Sequence, residues 1–485
     1  MKLIQFVSKS VNRGFGVVFL FLISVSLIRF AIKSSQYTSF FMPVLIAAMA
    51  GIVVGILFCL KRAEKYLADA ALKNPSLHKR IFIALPLILL TVQIIFACSI
   101  DFTPKNDLSY ICSAAENYLR LGPEHIYDDL PEYHQTYFSI YPNNHCIFMI
   151  VLGLYKISYS VTGEISNTLP IALNIAALNI SFILMCMTAR IMYKPEKAVI
   201  CALRGLMFTP LLTYVCIFYT DTIAMPFITG AIYLYVKFRH IRPENNSILK
   251  SASLIVMLGL LIAVGYKIKG NAVILLAAIL IDMILRRRRS ITEKLLYIVI
   301  LAVVFVLVTA IISNAALKVL NISPEELELH KFPLVHWIMM SADGRGGYQA
   351  QDYYYTKSFE GYDAKISADL SRLGEKIKSQ GFFGFMAHLV NKLAYTWGDG
   401  SFMQAYYNDC GKVFNGIVIY ISQIFHFTLL TKMAESFIKR RNAPVDACTD
   451  AFFLKMCLAG LTLFLLIWEA RCRYLINFFA LFALI

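Results

Sequence analysis

The chain has 485 residues, of which 58% are hydrophobic and only 16% charged, and its formal net charge is +16. Apolar runs of roughly 15 to 25 residues recur along it, and a helix of about 20 such residues spans the hydrocarbon core of a bilayer. A soluble protein could not bury so many runs in one core. A transmembrane barrel would need segments of about 10 residues with alternating polarity, which are not seen. The composition therefore predicts an all-α polytopic membrane protein.

The excess positive charge clusters at the ends of the apolar runs, as the positive-inside bias predicts. Membrane orientation explains it, so no nucleic-acid partner is expected. The eleven cysteines are scattered, with no CxxC pair and no Cys/His cluster at metal-ligand spacing, and we expect small buried hydrophobic side chains. No cleavable signal is evident, and the first apolar run, 14–33, is expected to be an uncleaved first helix.

The first three runs set the topology. Lys2, Lys9 and Arg13 precede the first run and place the N-terminus in the cytoplasm. The second run, 41–60, returns the chain to a basic loop at 61–80. The third run, 81–98, then crosses the membrane outward, so the segment that follows it is expected on the outer face.

The run 145–162 (HCIFMIVLGLYKISYSVT) decides the remaining topology. If it spanned the membrane, every later basic loop would lie outside, against the positive-inside rule. We therefore predict that it lies in the outer interface as an amphipathic helix. The later spans are predicted at 166–191, 198–219, 223–238, 251–267, 271–285, 295–318, 411–434, 449–468 and 472–485.

These assignments give about 12 spans, of which the last is short. Residues 1–80 form an N-terminal helix pair with a basic cytoplasmic loop, and 81–318 form the core, including a first outer loop at 99–165. A second extracytoplasmic segment with interfacial helices is predicted at 319–409, and the C-terminal transmembrane helices occupy 410–485.

The first outer loop contains an unusual concentration of carboxylates. Its acidic residues between 99 and 144 are Asp101, Asp107, Glu116, Glu124, Asp128, Asp129 and Glu132. Asp107 directly precedes the helix-like LSYICSAAENYL, which could hold it rigidly, and Asp101 lies at the mouth of the preceding helix. The other five are expected to be solvated surface residues.

Polar residues at three later helix turns fall on the same predicted outer face. Asp221 lies in FYTDTIAMPF, Lys267 and Lys269 lie in GYKIKGN, and Glu469, Arg471 and Arg473 lie in WEARCRYL. Snorkelling to the interface is the alternative explanation for any single Lys or Arg. Carboxylates and cations at three turns on one face favour a shared site.

The segment 319–409 adds further polar candidates. PLVHWIMM, which contains His336, is typical of an interfacial helix, and the charged stretch 353–378, beside Asp352, is compatible with a soluble helix. Arg345 lies among glycines, and a glycine-rich turn beside an arginine can hold a phosphate through backbone N–H groups. The alternative is a bare linker.

Together these features resemble the GT-C glycosyltransferases, which use polyprenyl-phosphate sugars and include protein O-mannosyltransferases, the aminoarabinose transferase of lipid A and bacterial family-39-like enzymes. The resemblance rests on the acidic first outer loop, the Asp of YTDT, the Lys of KIKGN and the late Arg-containing turn. YPNN at 141–144 is similar to the Pro-containing entry of the family's interfacial helix. Two features depart from the family: Asp101 and Asp107 are separated by FTPKN, and two helices precede the helix that leads into the loop.

The resemblance implies a GT-C-like bundle that transfers a sugar, with inversion, from a polyprenyl phosphate to a cell-envelope glycan, lipid or protein. Asp107 is then the expected base, with Asp101 as second choice, and Asp221 would position the acceptor or a metal. The expected donor-phosphate residues are Lys267, Lys269, Arg471, Arg473 and Arg345. The expected pocket residues are Tyr141, Asn143, His336, Asp352 and Glu469.

No cofactor is certain, and the sequence does not determine whether a divalent metal is used. The expected location is a cell membrane, most simply a bacterial plasma membrane, with the active site on the extracytoplasmic face. Two alternatives remain: a transporter or flippase of a lipid-linked or polar substrate, and a ligase or polymerase of preformed glycans. A transporter predicts internal repeats and helices broken at mid-membrane.

Overall fold

The computed structural model describes residues 42–74, 76–131, 134–241, 248–286, 289–404, 411–439 and 450–485, with short stretches between 13 and 24. The predicted first span at 14–33 therefore lies largely outside the described residues, as do Lys2, Lys9 and Glu132. Across the described ranges the secondary structure is helical and contains no strand.

Seventeen α-helices are labelled here. They are α1 (Met42–Lys73), α2 (Leu77–Cys98), α3 (Asp107–Arg120), α4 (His145–Thr162), α5 (Thr168–Met192), α6 (Pro195–Leu206), α7 (Met225–His240), α8 (Ile248–Ile268), α9 (Val273–Leu285), α10 (Ile291–Leu320), α11 (Pro324–His330), α12 (Leu334–Met340), α13 (Ala350–Lys357), α14 (Tyr362–Gly398), α15 (Lys412–Lys439), α16 (Asp450–Ile467) and α17 (Phe479–Leu484). One-turn α-helices occur at Tyr137–Ile140, Pro210–Thr213 and Thr220–Ile223. 3₁₀ segments occur at Pro123–His125, Pro142–Asn144, Gly270–Ala272 and Cys472–Phe478.

Seven helical stretches among the described residues are long and apolar enough to cross a membrane: Leu77–Cys98, Pro142–Thr162, Thr168–Met192, Ile248–Ile268, Ile291–Leu320, Phe414–Lys439 and Asp450–Ile467. Two shorter apolar stretches, Gly270–Leu285 and Cys472–Leu484, accompany them. By this criterion the described chain has fewer spans than the predicted total. The predicted class, an all-α polytopic membrane protein, is confirmed.

The basic segment 61–80 is not the loop that the charge pattern suggested. Helix α1 continues from Met42 to Lys73, through the sequence KRAEKYLADAALK. This stretch is rich in Ala, Leu, Lys and Glu, the residues with the highest helix propensities, and contains no Gly or Pro. The high helix propensity of these residues explains why α1 continues to Lys73, beyond the end of the apolar run at residue 60.

The predicted span 198–219 is broken. Helix α6 ends at Leu206, four residues before Pro210, because a proline lacks an N–H and its ring clashes with the carbonyl four residues earlier. Apart from the one-turn helix Pro210–Thr213, the chain from 207 to 219 is irregular, and most of it is buried. Its free carbonyls are satisfied by side chains: Gln93 donates to Leu211 O at 2.5 Å and Asn174 donates to Tyr214 O at 2.6 Å. Irregular backbone at membrane depth requires such internal partners.

Helix α4, for which we predict an interfacial position, packs against α3, α5, α8 and α10. Its Tyr155 hydroxyl donates to Asn167 Oδ1 at 2.6 Å. Asn167 immediately precedes α5, so the middle of α4 lies at the start of α5 and not alongside it. Although α4 is long and apolar enough to span, this contact supports a helix that crosses the end of the bundle. Its position in the interface stays a prediction.

Helices α7, α9 and α16 are joined by charged residues at both ends. At one end, Arg239 lies 3.6 Å from Asp282 and 3.5 Å from Asp450. At the other end, the residues that precede α7 and α9 meet those that follow α16. Because α7 rises about 1.5 Å per residue, the two clusters lie on the order of 25 Å apart. The second cluster contains the candidate site.

Candidate active site

Asp107 is the first residue of α3, and its side chain is partly buried. The Tyr137 hydroxyl, 2.9 Å away, donates to Asp107 Oδ1. Tyr137 is fully buried between His134, Tyr110 and Phe138, whose rings contact it. The carboxylate is therefore held in one direction by a rigid donor, a residue that the sequence analysis did not select.

A continuous chain of hydrogen bonds leads away from Asp107. Asn144 Nδ2 donates to the Tyr137 hydroxyl at 2.6 Å, and the Tyr219 hydroxyl donates to Asn144 Oδ1 at 3.1 Å. Asn144 belongs to the YPNN motif and is 1% exposed. Tyr219 lies two residues before Asp221 on the irregular segment that follows α6. The segment 99–165 is thereby connected to the turn that contains Asp221.

Asp221 lies between two cations. Lys269 Nζ is 2.8 Å from Asp221 Oδ1, and Arg473 Nη1 is 3.7 Å from Asp221 Oδ2. Lys269 also lies 4.3 Å from the ring centroid of Tyr474, and the Arg473 guanidinium lies 5.4 Å from that of Tyr219. Burial lowers the pKa of Lys269, and the charge of Asp221 opposes that shift. Three turns that are distant in sequence thus form one charged cluster.

The last turn contributes a second carboxylate. Glu469 Oε1 lies 2.5 Å from Arg471 Nε, and the Tyr474 hydroxyl donates to Glu469 Oε2 at 2.7 Å. Burial would raise the pKa of Glu469, but Arg471 and the Tyr474 hydrogen bond outweigh it, and the pKa is lowered. The attraction of Glu469 in turn raises the pKa of Arg471 against the effect of its burial. Glu469 is therefore an ionised, fully paired group.

Tyr141 packs against Tyr137, with 5.0 Å between the ring centroids. Burial raises the pKa of its hydroxyl, and the charges of Asp107 and Glu469 raise it further. Both carboxylates are thus within electrostatic reach of one phenol. The Tyr141 ring also contacts Trp337 at 5.8 Å and Tyr353 at 6.4 Å between centroids. It connects the charged cluster to the segment 319–409.

Two contacts attach this segment to the last turn. The Ala470 N–H donates to Gly346 O at 2.7 Å. Lys392 Nζ donates to Leu466 O at 2.8 Å, to Trp468 O at 3.0 Å and to Ser341 Oγ at 3.0 Å. Burial lowers the pKa of Lys392 to about 8. The glycine-rich turn is therefore docked on the residues that flank Glu469.

Several predicted site residues lie outside this cluster. Asp101 and Arg345 are exposed, and Lys267 donates to Ser313 of α10 at 2.8 Å. Asn143 Nδ2 donates to Asn144 Oδ1 at 3.2 Å and so lies beside the hydrogen-bonded chain.

His336 and Asp352 belong to networks of their own. Asp352 pairs with Lys376 at 2.6 Å and with Arg372 at 2.9 Å. The His336 imidazole contacts the Thr356 hydroxyl at 2.7 Å. Both residues stabilise the segment 319–409 internally.

Sequence reasoning missed five residues that build the site: Tyr137, Asn144, Tyr219, Lys392 and Tyr474. Tyr and Asn are common in loops, and nothing in their spacing indicates long-range hydrogen bonds. YPNN did carry a signal, but the residues selected from it were Tyr141 and Asn143 and not the buried Asn144. Among the described residues no group of three or more His, Cys, Asp or Glu side chains is placed to hold a metal ion.

The seven buried cysteines among the nine described ones fit the expectation of small buried side chains, whereas Cys59 and Cys98 are exposed.

No curated protein matches the chain. One similar solved structure is the archaeal oligosaccharyltransferase AglB from Archaeoglobus fulgidus in complex with an inhibitory peptide and a dolichol-phosphate, with 12% identity and a TM-score of 0.44. The match covers 84% of this chain and 50% of that one, so the chain spans about half the length of that protein. A likeness at this level supports no conclusion about activity.

A family model covers most of the sequence. The model described as "Conserved hypothetical integral membrane protein" matches residues 3–409. This range exceeds half of the 485 residues and includes the first outer loop, Asp221, Lys269 and the glycine-rich turn. The chain therefore belongs to this family of integral membrane proteins.

Proposed function

We propose that the protein is a membrane glycosyltransferase that moves a sugar from a polyprenyl-phosphate donor to a hydroxyl of a cell-envelope acceptor, on the extracytoplasmic face and with inversion. The observation that carries the proposal is the hydrogen-bonded chain from Asp107 through Tyr137, Asn144 and Tyr219 to the cluster around Asp221. It brings a carboxylate on one loop together with cations on two others.

Asp107 has the properties of a general base. Tyr137 fixes one carboxylate oxygen, and the side chain is only partly buried, so an acceptor hydroxyl can approach it. A base must lie within hydrogen-bond reach of the proton that it removes. Asp101 lies six positions earlier in the chain and is exposed. Among the described residues no side chain donates to its carboxylate as Tyr137 does to that of Asp107. These contacts favour Asp107 over Asp101.

The donor phosphate would meet the arginines of the last turn. Guanidinium groups bind phosphate oxygens with paired hydrogen bonds, and the Arg471 side chain is 23% exposed. Lys269 is already paired with Asp221, so we assign it the role of holding Asp221 in place and not of binding the phosphate. Asp221 in turn would position Arg473 and the acceptor.

The chemistry needs few groups. The acceptor oxygen attacks the anomeric carbon and gives its proton to Asp107, while the bond to the phosphate oxygen breaks with its electron pair. Polyprenyl phosphate is a good leaving group once cations surround it, so no strong general acid is required. One carboxylate and a set of cations are sufficient, unlike the two-carboxylate arrangement of glycosidases.

One feature favours the transporter alternative, because the segment 207–219 interrupts a helix, as the substrate sites of secondary transporters do. In those sites the exposed carbonyls face a substrate or ion. Here the carbonyls of Leu211, Tyr214 and Val215 accept hydrogen bonds from Gln93 and Asn174, and the segment is buried. The break therefore supports the structure around Tyr219 and Asp221 better than it supports a path for transport.

The test is donor turnover in proteoliposomes. Full-length protein would be supplied with a panel of polyprenyl-phosphate-linked hexoses and pentoses and with cell-envelope extract as acceptor, and release of free polyprenyl phosphate would be measured. We expect Asp107→Asn to lower turnover by about 100-fold or more, while Asp101→Asn stays near the parent rate. Equal rates for Asp107→Asn and the parent would refute the base assignment. Absence of release from every donor would refute the proposed reaction.

A further inference from the structure

Helix α14 changes its composition at Gly381. Before this residue the helix presents charged side chains at exposed positions, among them Asp363, Glu375 and Lys378. The stretch that follows, FFGFMAHLV at 382–390, contains no Asp, Glu, Lys or Arg. Gly381 itself has a φ of +63° and a ψ of 177°, which kinks the helix, and glycine adopts a positive φ at little steric cost. The change in composition therefore coincides with a change in backbone direction.

The exposed surface after the kink is apolar. Its side chains include Phe382, 71% exposed, Phe383, 85% exposed, Met386, 39% exposed, and Val390, 36% exposed. Positions 382, 386 and 390 are four residues apart, so they share one face of the helix. His388 lies on the opposite face and is buried. A contiguous apolar patch of this kind marks an interaction surface, and we call it the 382–390 patch.

The residue that follows the 382–390 patch by two positions fixes its place on the protein. Lys392 Nζ donates to Leu466 O at 2.8 Å and to Trp468 O at 3.0 Å. These carbonyls belong to the C-terminal end of α16, a helix that is long and apolar enough to cross a membrane. Near this end, Leu463 and Ile467 of α16 are 60% and 56% exposed, as expected of a helix in contact with acyl chains. The patch is therefore attached where a candidate span ends.

A lipid surface fits this position better than a second protein does. A stable protein interface buries about 800 Å² per partner and surrounds its apolar centre with a polar rim. The 382–390 patch is one side of a nine-residue stretch without charged residues. A helix that lies in the membrane interface needs only an apolar face directed at the acyl chains. The charged part of α14, before Gly381, is in turn suited to water.

We propose that residues 382–390 insert into the bilayer surface at the C-terminal end of α16. Phe382 and Phe383 enter the boundary between the headgroups and the acyl chains, and residues 362–380 remain in water. Because the patch carries no charge, it contacts the apolar part of the lipid and selects no particular headgroup. The bilayer thereby holds the end of the segment 319–409 that Lys392 fixes to α16. The inference requires only that the protein lies in a membrane and is independent of the proposed function.

The experiment measures the quenching of an added tryptophan by brominated lipid. Full-length Phe383→Trp would be reconstituted in phosphatidylcholine bilayers with and without bromine on the acyl chains, and the emission of the parent, which has three tryptophans, would be subtracted. The matched control is Leu370→Trp, because Leu370 is 53% exposed on the charged part of the same helix. An interfacial helix buries its apolar face about 5–10 Å into the boundary, so we expect bromine to lower the added emission of Phe383→Trp by about half. The added emission of Leu370→Trp should not change.

Phe382→Trp repeats the measurement one position away and keeps the test valid if Phe383→Trp is not obtained folded. Three outcomes would overturn the proposal. Unquenched emission at the wavelength of a water-exposed indole would place the 382–390 patch in water. Unquenched emission shifted to the blue would mean that protein, such as a second copy of the chain, covers the patch. Equal quenching in Leu370→Trp would mean that all of α14 lies in lipid and that Gly381 is not the boundary.

Discussion

Lys269 Nζ lies 2.8 Å from Asp221 Oδ1, with the lysine side chain 14% and the aspartate side chain 2% exposed. The pair joins the turn before α9 to the turn before α7. Arg473 approaches the second oxygen of Asp221 at 3.7 Å. Asp221 therefore balances two cations, whereas Lys269 has one close carboxylate.

This asymmetry predicts unequal effects of removing either partner. Loss of one member of a buried ion pair typically costs about 3–5 kcal/mol, because the other charge is left without compensation. Asp221→Asn removes the close carboxylate of both Lys269 and Arg473, whereas in Lys269→Gln the charge of Asp221 is still met by Arg473. We expect the thermal unfolding midpoint in detergent to fall further in Asp221→Asn than in Lys269→Gln.

The double variant completes this cycle. Asp221→Asn with Lys269→Gln should be more stable than the sum of the two single effects implies, because coupled residues are not additive. Additive losses, or a larger loss in Lys269→Gln, would contradict the description of Asp221 as the shared anion.

Tyr137→Phe is expected to lower the rate of sugar transfer and to lower the stability by about 1–3 kcal/mol, because the buried Asn144 Nδ2 loses its acceptor. The substitution removes the hydroxyl that donates to Asp107 and accepts from Asn144 but keeps the buried ring. Since the hydroxyl acts through Asp107, we expect kcat to fall by about tenfold, KM to change little and the pH profile of kcat to shift.

Tyr118→Phe is the matched control, because its ring packs on Phe148 within the same outer loop. A Tyr137→Phe enzyme with the parent pH profile would show that the hydroxyl has only a structural role.

The sequence indicated which turns meet, because a carboxylate or cation at the end of an apolar run is expensive unless it has a partner or a function. That reasoning selected Asp107, Asp221, Lys269, Glu469, Arg471 and Arg473, which the structure brings together. It could not separate Lys267 from Lys269. The two lysines lie two positions apart near a helix end, so their side chains point in different directions. Lys267 donates to Ser313 of α10.

The parts that were not predicted depend on contacts between distant residues. The break after Leu206 follows from Pro210, a local signal that the length of the apolar run concealed. By contrast, the partners of the irregular segment, Gln93 and Asn174, lie in helices α2 and α5. A single sequence shows them only as isolated polar residues within apolar runs, and their role becomes evident only from the packing of three helices.

Acid should destabilise the protein through His336. This imidazole is fully buried, and burial lowers its pKa to about 3. The folded protein therefore keeps the His336 imidazole neutral, whereas in the unfolded chain the imidazole takes up a proton near pH 6.5. The contribution of neutral His336 to stability is therefore present above pH 6.5 and is lost as the pH falls toward 3. Thr356 links His336 to Asp369, and burial raises the pKa of the Asp369 carboxyl group to about 6. The stability that protonated Asp369 contributes is lost as the pH rises through 6, so its effect on stability opposes that of His336.

The measurement is the unfolding midpoint of the parent and of His336→Gln between pH 7 and pH 5. The advantage of the parent over the variant should shrink as the pH falls. The control is His125→Gln, because the His125 side chain is 43% exposed. The unfolding midpoint of this variant should equal that of the parent at every pH. Parallel curves for the parent and His336→Gln would exclude His336 as the source of acid sensitivity.

Gly346 and Gly347 provide the sharpest test of how the segment 319–409 is docked. Gly346 has a φ of +71°, and its carbonyl oxygen accepts a hydrogen bond from the Ala470 N–H. A Cβ at this position would lie 2.7 Å from both Cε and Cγ of Lys392. The lysine cannot swing away without losing its bonds to Leu466 O, Trp468 O and Ser341 Oγ. Left-handed backbone alone costs an L-residue roughly 1–2 kcal/mol.

Gly346→Ala should therefore lower the stability by at least about 2 kcal/mol and also lower transfer activity, because the displaced Lys392 would disturb the turn that presents Glu469 and Arg471. At Gly347 a new Cβ would meet only Ala470 O at an ordinary 3.7 Å, so Gly347→Ala should change stability by no more than about 0.5 kcal/mol. Chemical unfolding and donor turnover of both variants would be measured side by side. Equal stability of the two alanine variants would mean that Lys392 does not fix the glycine turn against the end of α16, and the proposed docking would be wrong.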